Sequence, residues 1–346
     1  MDRISRFSPK VQKFLGYVGI FVGFISMIFI FVLVVYGTLK FVLVPGTAPA
    51  LAPVLPGVKI DGAPDLSFWH WVISIFIVAV IHEFSHGLVA RLHNIKVKSS
   101  GFAFLGPILA AFVEPDEKEM SKKSKMQQLS VFAAGPFSNI VFAGFVLLFM
   151  IFLMGPFLNT VYADNGVIVN SVMEDSSVSS IEAPFTIYSM DGVETLGVID
   201  LLNESLNLKP GDSVVLGTDK GEYKVIVGSN PKNDSLAYFG MAGLEQDSVL
   251  EEEYIYLEKY EGVIDWVKLL VIWLFLISFG IGLFNLLPLG PVDGGRMFLV
   301  LGTAIFNEKI AKKMLTIVSI FLLMIIIINL LPYFNQLIVG LYNLLF

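Results

Sequence analysis

The sequence contains two histidines and a glutamate in one short motif, His82-Glu83-Phe84-Ser85-His86. Because His82 and His86 are four residues apart, they project from neighbouring turns of one helix face, and both imidazoles can reach one ion. Glu83 projects beside them, where its carboxylate can take a proton from water held at that ion. This spacing is typical of zinc metalloproteases and predicts zinc ligation by His82 and His86, with Glu83 as general base.

A third protein ligand must come from elsewhere in the chain, because two histidines leave a catalytic zinc one ligand short. The chain has no cysteine, and neither of its other histidines, His70 and His93, lies in a similar motif. Asp293 is the only acid in residues 284–296, which end a long apolar run. We expect Asp293 to complete the ligand set; the alternative is a helix-ending turn capped by this aspartate.

The segment around Asp293 contains residues that interrupt a helix. Pro288 and Pro291 remove helical hydrogen bonds, which at membrane depth is tolerated beside a hydrated site. The glycines at 294 and 295 permit close approach or positive φ. Asn285 can orient a ligand or form a hydrogen bond with a substrate backbone. The segment is therefore expected to unwind and to present polar groups to the metal site.

The composition places this chemistry in a membrane protein. Of 346 residues, 55% are hydrophobic and only 15% are charged, which is too apolar for an ordinary soluble domain. Ionisable groups inside an apolar span are functional by default, although a polar packing cluster between helices is the alternative. We predict a polytopic α-helical membrane protein with five or six transmembrane helices, the clearest over residues 15–37, 68–91, 128–155, 263–288 and 313–331.

The charge distribution predicts an orientation. Arg3, Arg6, Lys10 and Lys13 precede the first apolar run, which is too long for a typical signal peptide and is expected to stay as an uncleaved helix. Residues 92–126 are rich in lysine, whereas most of the 30 acidic residues lie in 160–262. The positive-inside rule then places the N-terminus and 92–126 in the cytoplasm. The lysines are expected only to set orientation; a specific lipid site is the alternative.

Residues 166–245 differ from the apolar runs that flank them. Short β-branched segments alternate with turns, and 200–206 can form a short helix before the turn at 209–212. Strands are expected at 166–169, 213–216 and 223–227, and residues 187–193 are expected to form a strand that ends in a turn. This order resembles a PDZ domain, a fold that accepts extended peptides by strand addition, although an unrelated β-rich domain is the alternative. The acidic segment has no basic stripe for nucleic acid.

Together these motifs resemble the site-2 protease family of membrane zinc metalloproteases. In that family, H-E-x-x-H on one helix is completed by the aspartate of an N-x-x-P…D-G segment on another. The resemblance covers about 67–155 and 263–300, and it implies one zinc ion per chain, held by His82, His86 and Asp293. It also includes a G-P-x-x-N pattern at 135–139, from which Asn139 is expected to position the site or the peptide. A polar packing role for Asn139 is the alternative.

Residues 101–113 look like this family's membrane-embedded hairpin, whose edge could hold substrate as an added strand. A simple re-entrant packing element is the alternative. Two features depart from the family pattern: Val292 precedes Asp293 where leucine is common, and there is one PDZ-like unit where some members have two. These departures put in doubt how substrates are controlled more than they put in doubt the zinc-dependent chemistry.

The expected organisation has four parts. Residues 1–66 form a first helix and an extracytoplasmic loop, and 67–160 form the first half of the protease core. Residues 161–261 form an extracytoplasmic PDZ-like domain, and 262–346 complete the core. The predicted function is intramembrane endopeptidase in the cell membrane, with a cytoplasmic-side active site, single-span membrane proteins as substrates and a possible peptide ligand of the PDZ-like domain. The alternatives are a membrane metal transporter and a non-catalytic PDZ adaptor.

Overall fold

The computed structural model describes residues 7–60, 62–105, 108–173, 176–230 and 233–345, except for the side chains of 104–110 and 335–345. Arg3 and Arg6, included in the charge argument, lie outside these residues. The chain forms two compact units. Unit 1 comprises Met1–Met150 with Ile264–Phe346, and unit 2 comprises Ile151–Val263.

The first part of unit 1 consists of long apolar helices separated by short polar or β segments. A capping box begins the third long helix, because Ser124 and Gln127 satisfy each other's backbone N–H groups. Pro136 lies inside that helix. In chain order, the elements are α1 (Pro9–Leu43), α2 (Phe68–Leu92), β1 (Val97–Leu105), β2 (Ile108–Pro115), α3 (Glu117–Ser121) and α4 (Lys125–Phe149).

The segment predicted as a hairpin at 101–113 is a two-stranded antiparallel hairpin of β1 and β2. Its strands extend beyond the predicted segment to Val97 and Pro115, and Gly101 pairs with Phe112. Gly106 and Pro107 lie outside the described residues. β2 also lies against α2, so one edge of the hairpin faces the helix that carries the histidines.

Unit 2 is built around one antiparallel sheet in the strand order β10 (Met241–Leu250), β3 (Tyr162–Val172), β4 (Phe185–Met190), β6 (Ser213–Thr218) and β7 (Gly221–Ile226), with β5 (Val193–Glu194) paired to β4. Its core contains Val167, Phe185, Ile187 and Leu216. The predicted short helix at 200–206 is confirmed, as are the strands, although the strand expected in 187–193 ends at Met190 before a turn and the one expected at 223–227 ends at Ile226. After a π-helical turn, Met150–Met154, the elements are α5 (Gly155–Val161), β3 (Tyr162–Val172), β4 (Phe185–Met190), β5 (Val193–Glu194), α6 (Val198–Leu206), β6 (Ser213–Thr218), β7 (Gly221–Ile226), β8 (Gly228–Asn230), β9 (Asn233–Tyr238), β10 (Met241–Leu250) and the 3₁₀ helix Glu252–Tyr260.

The chain then returns to unit 1 through α7 (Glu261–Phe284), α8 (Asp293–Ile305) and α9 (Glu308–Leu345). The predicted span 263–288 is therefore too long by four residues, because the chain unwinds after Phe284 in the segment that contains Pro288 and Pro291. Within the described residues, five helical segments are long and apolar enough to cross a membrane: Pro9–Leu43, Phe68–Leu92, Lys125–Val161, Glu252–Phe284 and Glu308–Phe334.

Helix packing in unit 1 brings α2, α4, α7 and α8 together. One buried cluster joins Ala90 of α2 and Leu129 of α4 to Met297 of α8. Another joins Val78 of α2 to Trp273 of α7. Because lipid is as apolar as these side chains, close van der Waals packing rather than the hydrophobic effect holds such helices together. This packing fixes the backbone from which the polar residues project.

Candidate metal centre and active site

Three donor atoms converge inside unit 1. His82 Nε2 lies 3.1 Å from His86 Nε2, and Asp293 Oδ2 lies 3.1 Å from the first and 3.2 Å from the second. Both histidines are buried, and the Asp293 side chain is 14% exposed. Tetrahedral zinc with bonds of about 2.0–2.1 Å holds its ligand atoms about 3.3 Å apart. The spacing of the three donors therefore fits the face of a zinc tetrahedron, with the fourth position left for water.

The hydrogen bond of His86 determines which nitrogen can bind a metal. Nδ1 lies 2.7 Å from the backbone oxygen of Val131. A carbonyl oxygen only accepts hydrogen bonds, so Nδ1 carries the proton and, in the neutral ring, Nε2 presents a lone pair. That lone pair faces the Asp293 carboxylate at 3.2 Å. A cation between the two groups removes the repulsion, and the Val131 carbonyl orients the ring for it.

Asn139 of α4 is fully buried and contacts the other metal-facing ring. Its amide nitrogen lies 3.1 Å from His82 Nδ1. Its Oδ1 is also buried and has no hydrogen-bond partner among the described residues. A half-turn of the amide places Oδ1 against a protonated Nδ1, which satisfies the orphaned oxygen and leaves the His82 Nε2 lone pair for a metal. The Ser278 hydroxyl of α7 donates to the Asn139 backbone oxygen at 2.9 Å, which holds α4 in place.

Gly135 of α4 lies directly against both histidine rings. A Cβ atom at this position would come within 2.6 Å of His82 Nε2 and would also clash with His86 Nε2. Only glycine lets the helix approach the metal-facing nitrogens this closely. The sequence included Gly135 in the G-P-x-x-N pattern, but its contact with the ligands was not predicted.

Asp293 begins α8, and its carboxylate is directed at the histidines. Val292 is the N-cap, and no side chain caps this helix. In the described residues the Asp293 carboxylate lies against the two histidines, which favours a ligand role over the alternative of a turn-capping aspartate. The unwound segment folds back on α8 because the Gly294 N–H donates to Asn285 O at 2.7 Å. A Cβ at Gly295 would clash with the backbone oxygen of Leu289, so this turn requires glycine.

Glu83 lines a cavity of about 390 Å³ that also contains His82, His86 and Asp293. Its Oε2 accepts a hydrogen bond of 3.0 Å from the Val113 N–H of β2. The hairpin thus fixes the glutamate beside the three donors. Sequence spacing places Glu83 on the correct helix face but gives no sign of its bond to β2.

Two further polar residues face this cavity. Asn285 lines it, and its side chain makes no hydrogen bond within the described part of the chain, so its amide is available for a further hydrogen bond. Arg296, which the sequence argument did not select, lies one turn after Asp293 and also lines the cavity. Its guanidinium lies 5.6 Å from the centre of the Phe132 ring. The cavity therefore contains a cation beside its carboxylates.

The model of peptidase family M50 matches residues 70–330, which is more than half of the chain and includes all of these residues. The chain belongs to peptidase family M50. This family consists of metallopeptidases of the site-2 protease type, which are zinc enzymes of membranes. The expected family membership is confirmed, and the donor set described above suits the metal that the family uses.

Two other similarities cover less of the chain. An uncharacterized protein of Methanocaldococcus jannaschii is 37% identical over 71 residues, which are 20% of this chain and 19% of that protein. The chain thus matches about a fifth of that relative's length. The PDZ domain of the SdrC-like protein from Listeria monocytogenes is matched at 19% identity over 23% of this chain and 90% of that domain, with a TM-score of 0.21. So low a score carries no argument about unit 2.

In this M50 chain, replacing Asn139 tests its contact with His82. Asn139→Leu removes the acceptor for Nδ1–H, and loss of such a partner costs roughly 10–100-fold in metal affinity. Asn139→Asp retains an acceptor oxygen and should hold zinc at least as well as the wild type. Competition with a chelator of known affinity measures both variants. Equal zinc affinity in the wild type and Asn139→Leu would assign this residue to packing alone.

Proposed function

We propose that this M50 chain is a zinc-dependent endopeptidase that hydrolyses peptide bonds within or beside transmembrane segments of single-span membrane proteins. One observation carries the proposal. His82, His86 and Asp293 offer donor atoms that all lie within 4.8 Å of one another, next to Glu83, in a unit built of helices long enough to span a bilayer. The proposed cofactor is one zinc ion per chain.

The roles of the residues follow from their geometry. His82, His86 and Asp293 would hold the ion, which supplies Lewis acidity for the attacking water and the scissile carbonyl. Glu83 takes the proton from the attacking water and later returns it to the leaving amine. Asn139 and the Val131 carbonyl contact the Nδ1 atoms of the two imidazole rings, so that both Nε2 atoms would be available to hold the ion. Asn285 lines the cavity, and we propose that its side chain forms a hydrogen bond with the substrate backbone.

The substrate must present an extended segment, because a helical backbone has already used its own N–H and C=O groups. The Val113 N–H points away from β1, since it is bonded to Glu83. Residues two apart share an edge, so Ala111 exposes its backbone on the same side of β2. We propose that an unwound substrate segment pairs with this edge. Glycine and other helix-destabilising residues in the substrate should therefore favour cleavage.

The proposal extends to the side of the membrane that each part of the chain faces. We propose that the N-terminus, residues 92–126 and the metal centre face the cytoplasm, and that unit 2 is an extracytoplasmic PDZ-like domain that binds peptides. The lysines between α2 and α4 and the acidic surplus in 160–262 support this orientation. Cleavage would then release cytoplasmic fragments, as in signalling by regulated proteolysis. Reporter fusions after residues 110 and 200 test the assignment.

Backbone variants of β2 separate positioning of Glu83 from substrate pairing. Val113→Pro removes the N–H that fixes Glu83 but no bond to β1, and we expect kcat to fall about tenfold, because hydrogen bonds to charged groups are the stronger ones. Ala111→Pro removes an edge N–H that does not contact Glu83, so KM should rise while kcat is retained. Steady-state kinetics of both variants measure the split. Identical effects would mean that proline only disturbs the strand.

The proposed activity is tested with purified protein in proteoliposomes and a panel of single-span substrates. We expect cleavage that stops on zinc chelation, returns with added zinc, and is faster for substrates with a central glycine pair than for alanine- and leucine-stiffened helices. Equal cleavage of flexible and stiffened helices would contradict the unwinding step. Zinc flux across the liposome without cleavage would instead indicate a transporter.

A further inference from the structure

A second cavity of unit 1 lies outside the proposed active site. It is an apolar groove of about 420 Å³ between α1, α2 and α4. From α2 it uses Ile81, Ser85 and Leu88, on a different face from His82 and His86. The residues that line this groove are Gln12, Leu15, Gly16, Gly19, Ile81, Ser85, Leu88, Val89, Ser130, Ala134, Phe137, Ser138, Val141, Phe142 and Phe145, and none of them is charged.

One end of the groove carries positive charge from two different segments. Ser130 marks this end and accepts a hydrogen bond of 2.8 Å from His93 Nε2. A Cβ at Gly16 would lie 3.4 Å from the Ser130 Cβ, so α1 contacts α4 here. Lys13 precedes Gly16 by one turn of α1. Lys123 directly precedes Ser124, the N-cap of α4.

The electrostatics of His93 support the placement of Lys13 and Lys123 beside it. Burial lowers the pKa of His93 below its ordinary value, and the positive charges of Lys13 and Lys123 lower it further. His93 therefore stays neutral near pH 7, and the local charge comes from the lysines. Within the described residues, neither lysine has a carboxylate partner within 4.0 Å. Two unpaired cations beside an apolar groove are complementary to an anion with a hydrocarbon tail.

The charge beside the groove favours a lipid over an apolar helix. An apolar transmembrane helix offers no negative group to the two lysines, whereas an anionic phospholipid joins a phosphate to a hydrocarbon chain. We propose that the groove binds one anionic phospholipid, with an acyl chain between α1, α2 and α4 and its phosphate beside Lys13, Lys123 and His93.

The test compares lipid retention in matched variants. The protein is placed in nanodiscs of phosphatidylcholine and phosphatidylglycerol with identical acyl chains, released into detergent, and analysed by native mass spectrometry. We expect the wild type to retain phosphatidylglycerol. Since each lysine near a lipid phosphate contributes about fivefold in binding, Lys13→Gln with Lys123→Gln should weaken this preference roughly 25-fold. Lys40→Gln with Lys122→Gln, which removes one charge from the far end of α1 and one from the position beside Lys123, should leave it unchanged.

A photo-crosslinker at Val141, inside the groove, identifies the occupant directly. Crosslinks to phosphatidylglycerol, lost in the Lys13 and Lys123 double variant, support the proposal. Equal retention of the two lipids, or crosslinks mainly to an added single-span peptide, would overturn it. Because neither readout requires proteolysis, the result does not depend on the proposed enzymatic activity.

Discussion

Glu83→Gln is expected to abolish peptide hydrolysis while one zinc ion remains bound per chain. Glutamine has nearly the same shape and can still accept the Val113 N–H, but it cannot take a proton from water. A general base contributes about 10²–10⁴-fold to rate, so cleavage should fall by at least two orders of magnitude. Zinc content by elemental analysis and cleavage of a single-span substrate are measured on the same preparation.

This variant also distinguishes the three functions considered from the sequence. A transporter that uses His82, His86 and Asp293 as a transport site does not need a base beside them and could retain zinc flux. A non-catalytic adaptor would be indifferent to the change. A glutamine variant that cleaves at the wild-type rate would remove Glu83 from the mechanism.

Gly135→Ala should prevent zinc binding although it adds only one methyl group. The new Cβ would lie within 2.6 Å of His82 Nε2, and it would also overlap His86 Nε2. Neither imidazole can move away without losing its bond to Asn139 or to the Val131 carbonyl. We expect zinc affinity to fall by more than about 100-fold, the upper end of the loss seen when only an orienting partner of a ligand is removed.

Gly144 provides the matched control on the same helix, because a Cβ there would meet nothing within 4 Å. Both substitutions replace glycine by the better helix former, so each should favour α4 slightly by intrinsic propensity. A loss of zinc and activity in Gly135→Ala, with both retained in Gly144→Ala, would show that close approach to the ligands is required. Wild-type zinc affinity in Gly135→Ala would contradict the described packing of α4 against the site.

The sequence predicts the local part of the site because helix geometry alone brings His82, Glu83 and His86 together. The spans follow from the length of the apolar runs, and the β-rich insert follows from its turns. Asp293 lies 207 residues from the nearer histidine. Asp293 could be selected only because a catalytic zinc needs a third protein ligand and because its segment resembles that of the family. Sequence spacing does not predict how close α8 lies to α2.

The remaining features depend on how separate elements pack. The contact of Gly135 with both rings needs the α2–α4 distance, and the Glu83–Val113 bond needs the position of the hairpin edge. A sequence pattern supplies neither. The hydrogen bond from Gly294 to Asn285 O shows how the unwound segment folds, which two prolines and two glycines only suggest. Arg296 belongs to no motif that the sequence analysis used. Its position one turn after Asp293 on the same helix was the sign by which it could have been selected.

We propose that His82, His86 and Asp293 hold one catalytic zinc ion. Anomalous diffraction collected at the zinc absorption edge from crystals of the purified protein tests it most directly. The predicted result is one strong peak within about 2.0–2.2 Å of both Nε2 atoms and the Asp293 carboxylate. A zinc-replete crystal with no peak among these three side chains, or with its only peak elsewhere, would contradict zinc binding by His82, His86 and Asp293.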